Sequence, residues 1–365
     1  MVESIVPENI RTLTAYPPGK PLSELERELG VSNAIKLASN ENALGPSPKA
    51  TLAIADALSE LHRYPDGGAF YLRRRLSKHV NAQPHELLLG NGSNEIIELL
   101  IRTFCNKDAG VLTSEATFVV YRLISQAAGI PFEAVPMKDL HFDLDAIAER
   151  VTSSTRLIFL CNPNNPTNTK FNQETLDRFL AKIGDDPIVV LDEAYIEYVP
   201  QAERVKAMEL IAKRPRTVVL RTFSKAYGLA GARIGYGITS EAIADYVNRV
   251  RQPFNVNHLA QVGALAALDD TDHLQQVIEL TESGKQKIYA GLESMGMRYT
   301  PSWTNFVLFD TFRDGKSLYQ AMLKQGVIVR PMNAYGLPSH LRVNMGLNEE
   351  NDRFLAALKQ ALSNN

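Results

Sequence analysis

Short apolar runs that alternate with helix-length segments constrain the fold of this chain more than any other feature of its sequence. The runs at 156–161, 187–192 and 217–220 are rich in Val, Ile and Leu, and a helical pattern separates each run from the next. Such runs are typical of strands that are buried on both faces, as in parallel sheets. The pattern therefore predicts an α/β fold, with a mainly parallel mixed sheet that helices cover on both faces.

The pattern changes after residue 258, where long helical segments precede short apolar runs. We expect an N-terminal arm at 1–30 that belongs with the small domain, a large domain at 31–257 and a smaller α+β domain at 258–365. The predicted strands are 87–89, 111–112, 156–161, 187–192, 217–220, 234–238, 306–309, 327–329 and 341–343, and the predicted helices are 95–102, 118–128, 173–183, 205–214, 258–269, 273–294, 316–325 and a last helix with Asn348 as its N-cap.

Composition excludes several classes of protein. The 365 residues are 45% hydrophobic and carry a net charge of -2, which gives no reason to expect nucleic acid or an anionic membrane as a partner. Cys105 and Cys161 stand far apart in apolar surroundings, as free thiols of a reducing compartment do. No clustered Cys/His motif predicts a metal site, and no secretory signal or membrane-length apolar run is present. We therefore expect a cytoplasmic protein without a metal.

Polar residues follow four of the predicted strands at the points where those strands end. They form the segments Gly90–Asn94, Asn162–Pro166, Asp192–Tyr195 and Ser224–Lys225. Ligands of open α/β sheets bind outside the carboxyl ends of the strands. If the strands share one sheet, these four segments converge on one crevice.

Asp192 and Lys225 are charged residues placed directly after strands that should be buried. A buried charge is costly unless it faces an opposite charge or several hydrogen-bonding groups. One interpretation is a structural ion pair between the two residues. The other is a cofactor that lies between them and needs both charges. Pyridoxal phosphate meets that description, because its aldehyde bonds covalently to a lysine and its ring nitrogen stays protonated beside an acid.

The remaining groups of pyridoxal phosphate match polar residues at the same strand ends. Its phenolic oxygen needs hydrogen-bond donors, and its phosphate needs an anion site. A helix that starts after Gly92 offers backbone N–H groups and the positive end of its dipole. The matching side chains are Asn162 and Tyr195 for the phenolic oxygen, Ser93, Asn94, Ser224 and Arg233 for the phosphate, and Phe118 for stacking on the ring.

Taken in order along the chain, these motifs resemble those of the fold-type I pyridoxal-phosphate-dependent aminotransferases of class I/II. The resemblance spans nearly the whole chain. Its motifs are Leu37–Asn42 with Gly45–Pro46, Arg63–Asp66, Gly92–Glu95, Cys161–Thr167, Asp192–Tyr195, Thr222–Tyr236 and Leu341–Val343.

The resemblance implies a role for each matching residue. Lys225 would hold the cofactor covalently and move a proton during the reaction, and Asp192 would pair with the ring nitrogen. It also implies a homodimer with shared active sites, in which Tyr64 reaches the cofactor phosphate of the neighbouring subunit. Further implied contacts are Thr222 with the cofactor phosphate, Tyr195 as a catalytic residue on the phenolic oxygen, Arg342 with the anionic end of the substrate, and Arg330, Tyr16 and Asn40 with the rest of the substrate.

The motifs are most similar to those of family members that exchange an amino group between histidinol phosphate and 2-oxoglutarate. Ala43 departs from the family pattern, which often has proline there, and this changes the stiffness of a loop rather than its chemistry. Two other small-molecule activities stay open: transamination of phenylalanine and tyrosine, and decarboxylation of a phosphorylated amino acid. A regulator that senses the cofactor and binds DNA is disfavoured, since about 30 residues precede the first motif and they are not basic.

Overall fold

Helices and strands alternate along most of the chain, as the apolar pattern predicts. The structure is a computed structural model and describes residues 2–15 and 22–363. Its helices are α1 (Glu8–Arg11), α2 (Leu22–Leu29), α3 (Pro48–Ala57), α4 (Phe70–Val80), α5 (Ser93–Phe104), α6 (Val120–Ala127), α7 (Leu144–Arg150), α8 (Gln173–Ile183), α9 (Ala207–Lys213), α10 (Glu241–Val250), α11 (His258–Ala267), α12 (Thr271–Ser294), α13 (Gly315–Leu323) and α14 (Asn348–Ser363).

The strands form a large sheet, a smaller sheet and one isolated pair. They are β1 (Ile35–Lys36), β2 (Leu87–Gly90), β3 (Gly110–Ser114), β4 (Phe132–Val135), β5 (Thr155–Cys161), β6 (Ile188–Asp192), β7 (Thr217–Thr222), β8 (Gly235–Thr239), β9 (Arg298–Tyr299), β10 (Phe306–Asp310), β11 (Val327–Ile328), β12 (Arg330–Pro331) and β13 (His340–Asn344). In the large sheet the order is β2-β8-β7-β6-β5-β3-β4, and β8 is antiparallel to both of its neighbours while the other pairs are parallel.

Helices cover both faces of the large sheet, which confirms the predicted fold class. Alternate residues of a strand point to opposite faces. In β5, Ile158 and Leu160 pack in the core on one face, beneath α3, α4, α8 and α11. Leu157 and Phe159 pack in the core on the other face, beneath α5, α6 and α10. Since both faces are apolar and covered, the polar residues of the sheet are confined to its strand ends.

A second core lies around the smaller sheet, whose order is β12-β13-β10-β9 with antiparallel pairing. Its core includes Phe309 and Phe354 and is covered by α13, α14 and the second half of α12. The predicted domain limits stay a prediction, and two segments pack across them. Helix α11 packs against α3 in the core of the large sheet, whereas β1 pairs with β11 of the smaller unit.

The local differences from the predicted elements have simple causes. Strand β4 was not predicted, because it is an edge strand in which only Val135 is buried, so it lacks a continuous apolar run. The run 327–329 divides between β11, which pairs with β1, and β12, which pairs with β13. The prediction that Asn348 is an N-cap is wrong, because α14 already begins at Asn348. In the described part of the chain, no helix has the length and apolarity of a membrane span.

Candidate active site

The carboxyl ends of β5, β6 and β7 meet at a crevice of about 440 Å³. Cys161 lies beside Asp192 in the sheet register, so β5 and β6 end at the same level, and β7 continues two residues past the partner of Asp192, from Leu220 to Thr222. The start of α5 and the segment after β7 close one side of the crevice. Residues of the smaller unit close the other side. The predicted convergence of strand ends is therefore present in the structure.

Asp192 is buried at the floor of this crevice. Its Oδ2 accepts a hydrogen bond of 2.6 Å from the hydroxyl of Tyr121, and its Oδ1 accepts one of 3.2 Å from the backbone N–H of Ala194. Burial raises the pKa of Asp192 to about 6, although the Tyr121 hydrogen bond opposes that shift. A cation placed beside Asp192 would lower this pKa. The structure thus provides a carboxylate that favours a positively charged neighbour.

Lys225 lies in the tight turn that follows β7, with its amine directed into the crevice. The turn is closed by hydrogen bonds from the N–H of Gly228 to Lys225 O, at 3.0 Å, and from the N–H of Leu229 to Phe223 O, at 2.9 Å. The Lys225 Nζ lies 5.8 Å from the ring centroid of Tyr195. Burial, and then the charge of Arg342, lowers the pKa of Lys225 to about 8. The amine is therefore much easier to deprotonate than an exposed lysine.

Asp192 and Lys225 do not form a structural ion pair. Within residues 2–15 and 22–363, the Lys225 amine has neither a hydrogen bond nor an ion pair. The interpretation that each charge exists to neutralise the other is therefore wrong for this structure. Both groups face the same crevice, so a ligand between them can contact both.

An anion site lies at the start of α5. Ser93 and Asn94 form its first turn, where the backbone N–H groups have no partners within the helix. The Arg233 guanidinium lies against Gly92, and its Nη1 donates to Ala230 O at 2.9 Å. Thr222 and Ser224 add hydroxyl groups to the same wall of the crevice, and Thr222 Oγ1 accepts from the N–H of Ser224 at 3.1 Å. A helix N-terminus with an arginine beside it suits a phosphate.

Replacing Gly92 with alanine should weaken binding of a phosphate-bearing ligand at this site by about tenfold or more. Gly92 has a φ of 82°, and a Cβ atom there would lie 2.5 Å from a guanidinium nitrogen of Arg233. The substitution therefore strains the backbone and displaces the arginine together. Titration of pyridoxal phosphate into the cofactor-free variant measures the affinity.

Gly184→Ala is the matched control for that substitution. Gly184 also has a positive φ, of 64°, but a Cβ atom there would meet nothing within 4 Å. The Gly184→Ala substitution therefore strains the backbone in the same way but does not displace Arg233. Equal losses of cofactor affinity in the two variants would contradict the role given to Gly92.

The predicted position of Asn162 in the crevice is wrong. Its side chain accepts a hydrogen bond from Phe171 N at 2.9 Å and donates one to Phe171 O at 3.3 Å, which closes the loop between β5 and α8. Asn165 lines the crevice instead, and its Oδ1 accepts a hydrogen bond from Nη1 of Arg342. Asn165 belongs to the same motif, so the correct segment was identified but the wrong residue within it.

Tyr195 and Asn40 form a hydrogen-bonded pair on the crevice wall. The Asn40 Nδ2 donates to the Tyr195 hydroxyl oxygen at 2.9 Å. Asn40 has a φ of 55°, and its own N–H donates to Oδ1 of Asn344 at 3.2 Å. Burial raises the pKa of Tyr195 well above its usual value, so its hydroxyl stays protonated at neutral pH. Tyr195 is thus a hydrogen-bond donor available to a ligand oxygen.

Two arginines of the smaller unit line the opposite side of the crevice. Arg342 is buried on β13, its Nη2 donates to Ala38 O at 3.0 Å, and its guanidinium lies 4.9 Å from the ring centroid of Phe306. Arg330 lies next to Arg342 in the register of β12 and β13. Tyr335 and Glu41 also line this side, and sequence reasoning missed both. The pair of guanidinium groups forms a second place where an anion can bind.

The remaining predicted residues differ in where they lie. Phe118 lines the crevice and packs edge-on against Tyr121 at 5.6 Å. Tyr64 lies outside the crevice, is 84% exposed and stacks on Phe254 at 4.9 Å. Tyr16 lies outside the described residues. Tyr121 is the main residue that sequence reasoning missed, because its contact with Asp192 spans 71 positions.

The described donor set fits pyridoxal phosphate. It combines a buried carboxylate, an amine of lowered pKa, a phosphate-binding helix end and a tyrosine donor in one crevice. The fold and this site define a class of enzyme, and the chain belongs to the family of class I and II aminotransferases, whose model matches residues 32–358.

Individual relatives narrow the comparison further. The chain is 48% identical to histidinol-phosphate aminotransferase 2 of Pseudomonas aeruginosa over 97% of this chain and 96% of that protein. It is also 48% identical to histidinol-phosphate aminotransferase of Anaeromyxobacter sp., over 98% and 99% of the two chains. A solved structure of histidinol-phosphate aminotransferase from Sinorhizobium meliloti in complex with pyridoxal-5'-phosphate has a TM-score of 0.91, with 28% identity over 99% of this chain and 98% of that chain.

Proposed function

We propose that this chain is a pyridoxal-phosphate-dependent aminotransferase that exchanges an amino group between histidinol phosphate and 2-oxoglutarate, a step of histidine biosynthesis. The observation that carries the proposal is the presence of two separate anion sites in one crevice. The site at the start of α5 suits the cofactor phosphate, and the site at Arg330 and Arg342 suits the anionic end of a substrate. Full-length similarity to curated histidinol-phosphate aminotransferases supports the choice of substrate.

The residues of the crevice divide between holding the cofactor and moving protons. When bound, pyridoxal phosphate withdraws electrons from the substrate carbon that carries the amino group. Lys225 would hold its aldehyde carbon covalently, and Asp192 would keep its ring nitrogen protonated. Tyr195, which Asn40 orients, would donate to its phenolic oxygen, with Asn165 in place of Asn162 in that group. Ser93, Asn94, Thr222, Ser224 and Arg233 would hold its phosphate, and Phe118 would stack on its ring.

Lys225 also acts as the base of the reaction. Its lowered pKa of about 8 leaves roughly a tenth of the free amine unprotonated at neutral pH. Once the amino group of the substrate has displaced Lys225 from the aldehyde carbon, the freed amine would take the proton from the substrate carbon and deliver it to the cofactor carbon that Lys225 had held. A base whose pKa lies near the working pH is efficient in both directions. Burial therefore helps catalysis, because it lowers the pKa of the Lys225 amine toward neutral pH.

Arg342 and Arg330 give the site its substrate range. Glutamate carries a carboxylate and histidinol phosphate carries a phosphate monoester, and the two substrates occupy the site in turn. A planar guanidinium forms two parallel hydrogen bonds with either group. Arg342 is fixed by Asn165 and Ala38 O, so its fork is already oriented before substrate binds.

We also propose a homodimer with shared active sites. Large apolar side chains are exposed around Tyr64, beside a second cavity of about 260 Å³. Exposed large apolar side chains that group on one surface are typical of a protein interface, and the ring pairs Tyr64–Phe254 and Phe70–Tyr71 are such groups. In the dimer, Tyr64 would reach the partner's cofactor phosphate; the substrate contact of Tyr16 stays a prediction, since that residue lies outside the described residues. The exposed side chains are Leu52, Leu58, Leu61, Tyr64, Phe70, Tyr71 and Phe254.

Cytoplasmic location and the three-part domain division stay predictions.

A substrate profile of the purified holoenzyme tests the function. Given the similarity to histidinol-phosphate aminotransferases, we expect kcat/KM for histidinol phosphate with 2-oxoglutarate to exceed that for phenylalanine or tyrosine by about 100-fold or more. A preference for phenylalanine or tyrosine would assign the alternative transamination. Release of carbon dioxide without an oxo-acid acceptor would assign a decarboxylase. Light scattering of the same preparation should give twice the mass of one chain, and a monomeric mass would reject the shared site.

A further inference from the structure

Asn168 is a buried asparagine in the loop between β5 and α8, and it has contacts that the proposed chemistry does not explain. Its φ is 53°, a left-handed conformation that asparagine tolerates better than most residues with a side chain. Both the nitrogen and the oxygen of its side-chain amide form hydrogen bonds. Nδ2 donates to Thr300 O at 2.9 Å and to Pro301 O at 3.2 Å, and Oδ1 accepts from the N–H of Leu308 at 2.7 Å.

These hydrogen bonds fasten the loop of the large sheet to the edge of the smaller sheet. Strand β9 ends at Tyr299, so it does not extend along β10 as far as the Leu308 N–H. Beyond the end of β9, the Asn168 side chain supplies the hydrogen bonds that a longer strand would make. Its amide can both donate to the carbonyls of Thr300 and Pro301 and accept from the N–H of Leu308. The backbone adds one more bond, from the N–H of Trp303 to Asn168 O at 3.0 Å.

The same loop also holds Arg342, the proposed substrate-binding arginine. Leu308, which donates to Asn168, is the register partner of Arg342 between β10 and β13. Three residues before Asn168, Asn165 accepts a hydrogen bond from the Arg342 guanidinium. The loop therefore contacts Arg342 in two ways. Asn165 hydrogen-bonds to its side chain, and Asn168 hydrogen-bonds to Leu308 on the strand that pairs with β13.

We propose that Asn168 is a positioning residue, which sets where Arg342 stands relative to Lys225 and thereby the affinity for the anionic group of the substrate. The inference rests on the proposed function of Arg342. Among residues suited to a left-handed conformation, glycine lacks the amide and aspartate lacks its two donated hydrogen bonds. Asparagine alone meets the conformational and the bonding needs at this position.

Asn168→Gly tests the inference, because glycine accepts the backbone conformation and removes only the side-chain bonds. Asn81→Gly is the matched control: Asn81 has a φ of 54° and lies exposed at the end of α4. Trp303 is the single tryptophan of the sequence and lies at the junction, with Lys170 Nζ 4.2 Å from its ring centroid. Its fluorescence therefore reports on the junction without reference to activity.

In Asn168→Gly we expect red-shifted Trp303 emission and stronger quenching by acrylamide. We expect KM for glutamate and for histidinol phosphate to rise by about tenfold, with kcat reduced less than about threefold, since the loss concerns binding of the anionic group. Affinity of the cofactor-free protein for pyridoxal phosphate should fall less than about threefold, because Asn165 is the one proposed cofactor residue on this loop and the others lie on other segments. Asn81→Gly should match wild type in all three.

Two results would overturn the inference. One is an unchanged KM in a variant whose Trp303 emission has shifted. The other is an equal loss of cofactor and substrate affinity, which a merely structural role produces. If Asn168→Gly does not fold, Asn168→Asp is measured instead; it keeps the acceptor for Leu308 and should raise KM in the same way. If wild type converts glutamate but not histidinol phosphate, the substrate assignment fails, while KM for glutamate still tests Asn168.

Discussion

Replacing Lys225 with alanine will remove the visible absorbance of the holoenzyme and lower turnover by roughly 10⁴-fold. Lys225 is the residue proposed both to hold the cofactor covalently and to move the proton, so one substitution removes two functions. Alanine offers neither a nucleophile nor a base. Spectra of the purified protein, together with single-turnover rates on glutamate, measure the two losses separately.

Lys285→Ala is the control for loss of a buried lysine. Lys285 lies on α12, is 4% exposed and donates to Ser302 O at 3.1 Å, away from the crevice. It should cost stability and leave the visible absorbance in place. Full turnover in Lys225→Ala, or loss of absorbance in Lys285→Ala, would contradict the assignment of the cofactor lysine.

Lys225→Ala should also make the cofactor-free protein more stable than wild type near neutral pH. The pKa of Lys225 is lowered from 10.5 to about 8, so the folded state binds fewer protons than the unfolded state between those two values. The cost of burying the ammonium is fully present below pH 8 and disappears as pH rises to 10.5. Thermal denaturation at several pH values should therefore show the advantage of the variant below pH 8 and its loss above 10.5.

The frame of the site was predictable because apolar runs and strand ends are local features of the sequence. The runs before Asp192 and Lys225 are buried on both faces, which forces a covered sheet, and the sheet in turn brings the strand ends together. Arg342 was predictable for the same reason, since it alternates with apolar residues on a buried strand. In each case the apolar residues next to the charged residue in the sequence determine where it lies in the sheet.

The contacts that decide the fine chemistry were not predictable, because they depend on the path of loops. Asn162 and Asn165 are the same residue type in one motif, and only the folded loop turns one toward Phe171 and the other toward Arg342. Tyr121 comes to Asp192 from a helix of the neighbouring layer. Asn168 meets the smaller sheet more than 130 residues away in sequence. No local pattern encodes such distances.

Replacing Asp192 with asparagine should lower turnover by about 10³-fold or more while Lys225 still binds the cofactor covalently. Asparagine has nearly the same shape, so packing against Tyr121 is kept, but it carries no negative charge to keep the ring nitrogen protonated. Absorbance of the bound cofactor in the visible range, measured together with kcat, separates this loss from a failure to bind.

The pH dependence of cofactor binding gives Asp192 a test that does not rely on turnover. In the cofactor-free protein the pKa of Asp192 is about 6, so the carboxyl is neutral below that pH and cannot pair with a cationic ring. Affinity for pyridoxal phosphate should therefore fall more steeply as pH drops through 6 in wild type than in Asp192→Asn, in which only Lys225 and the cofactor phosphate still titrate. Tyr121→Phe keeps the charge but removes a hydrogen bond that favours the ionised carboxylate, so the fall should move to higher pH. The same pH profile in all three proteins would show that Asp192 does not face the ring nitrogen.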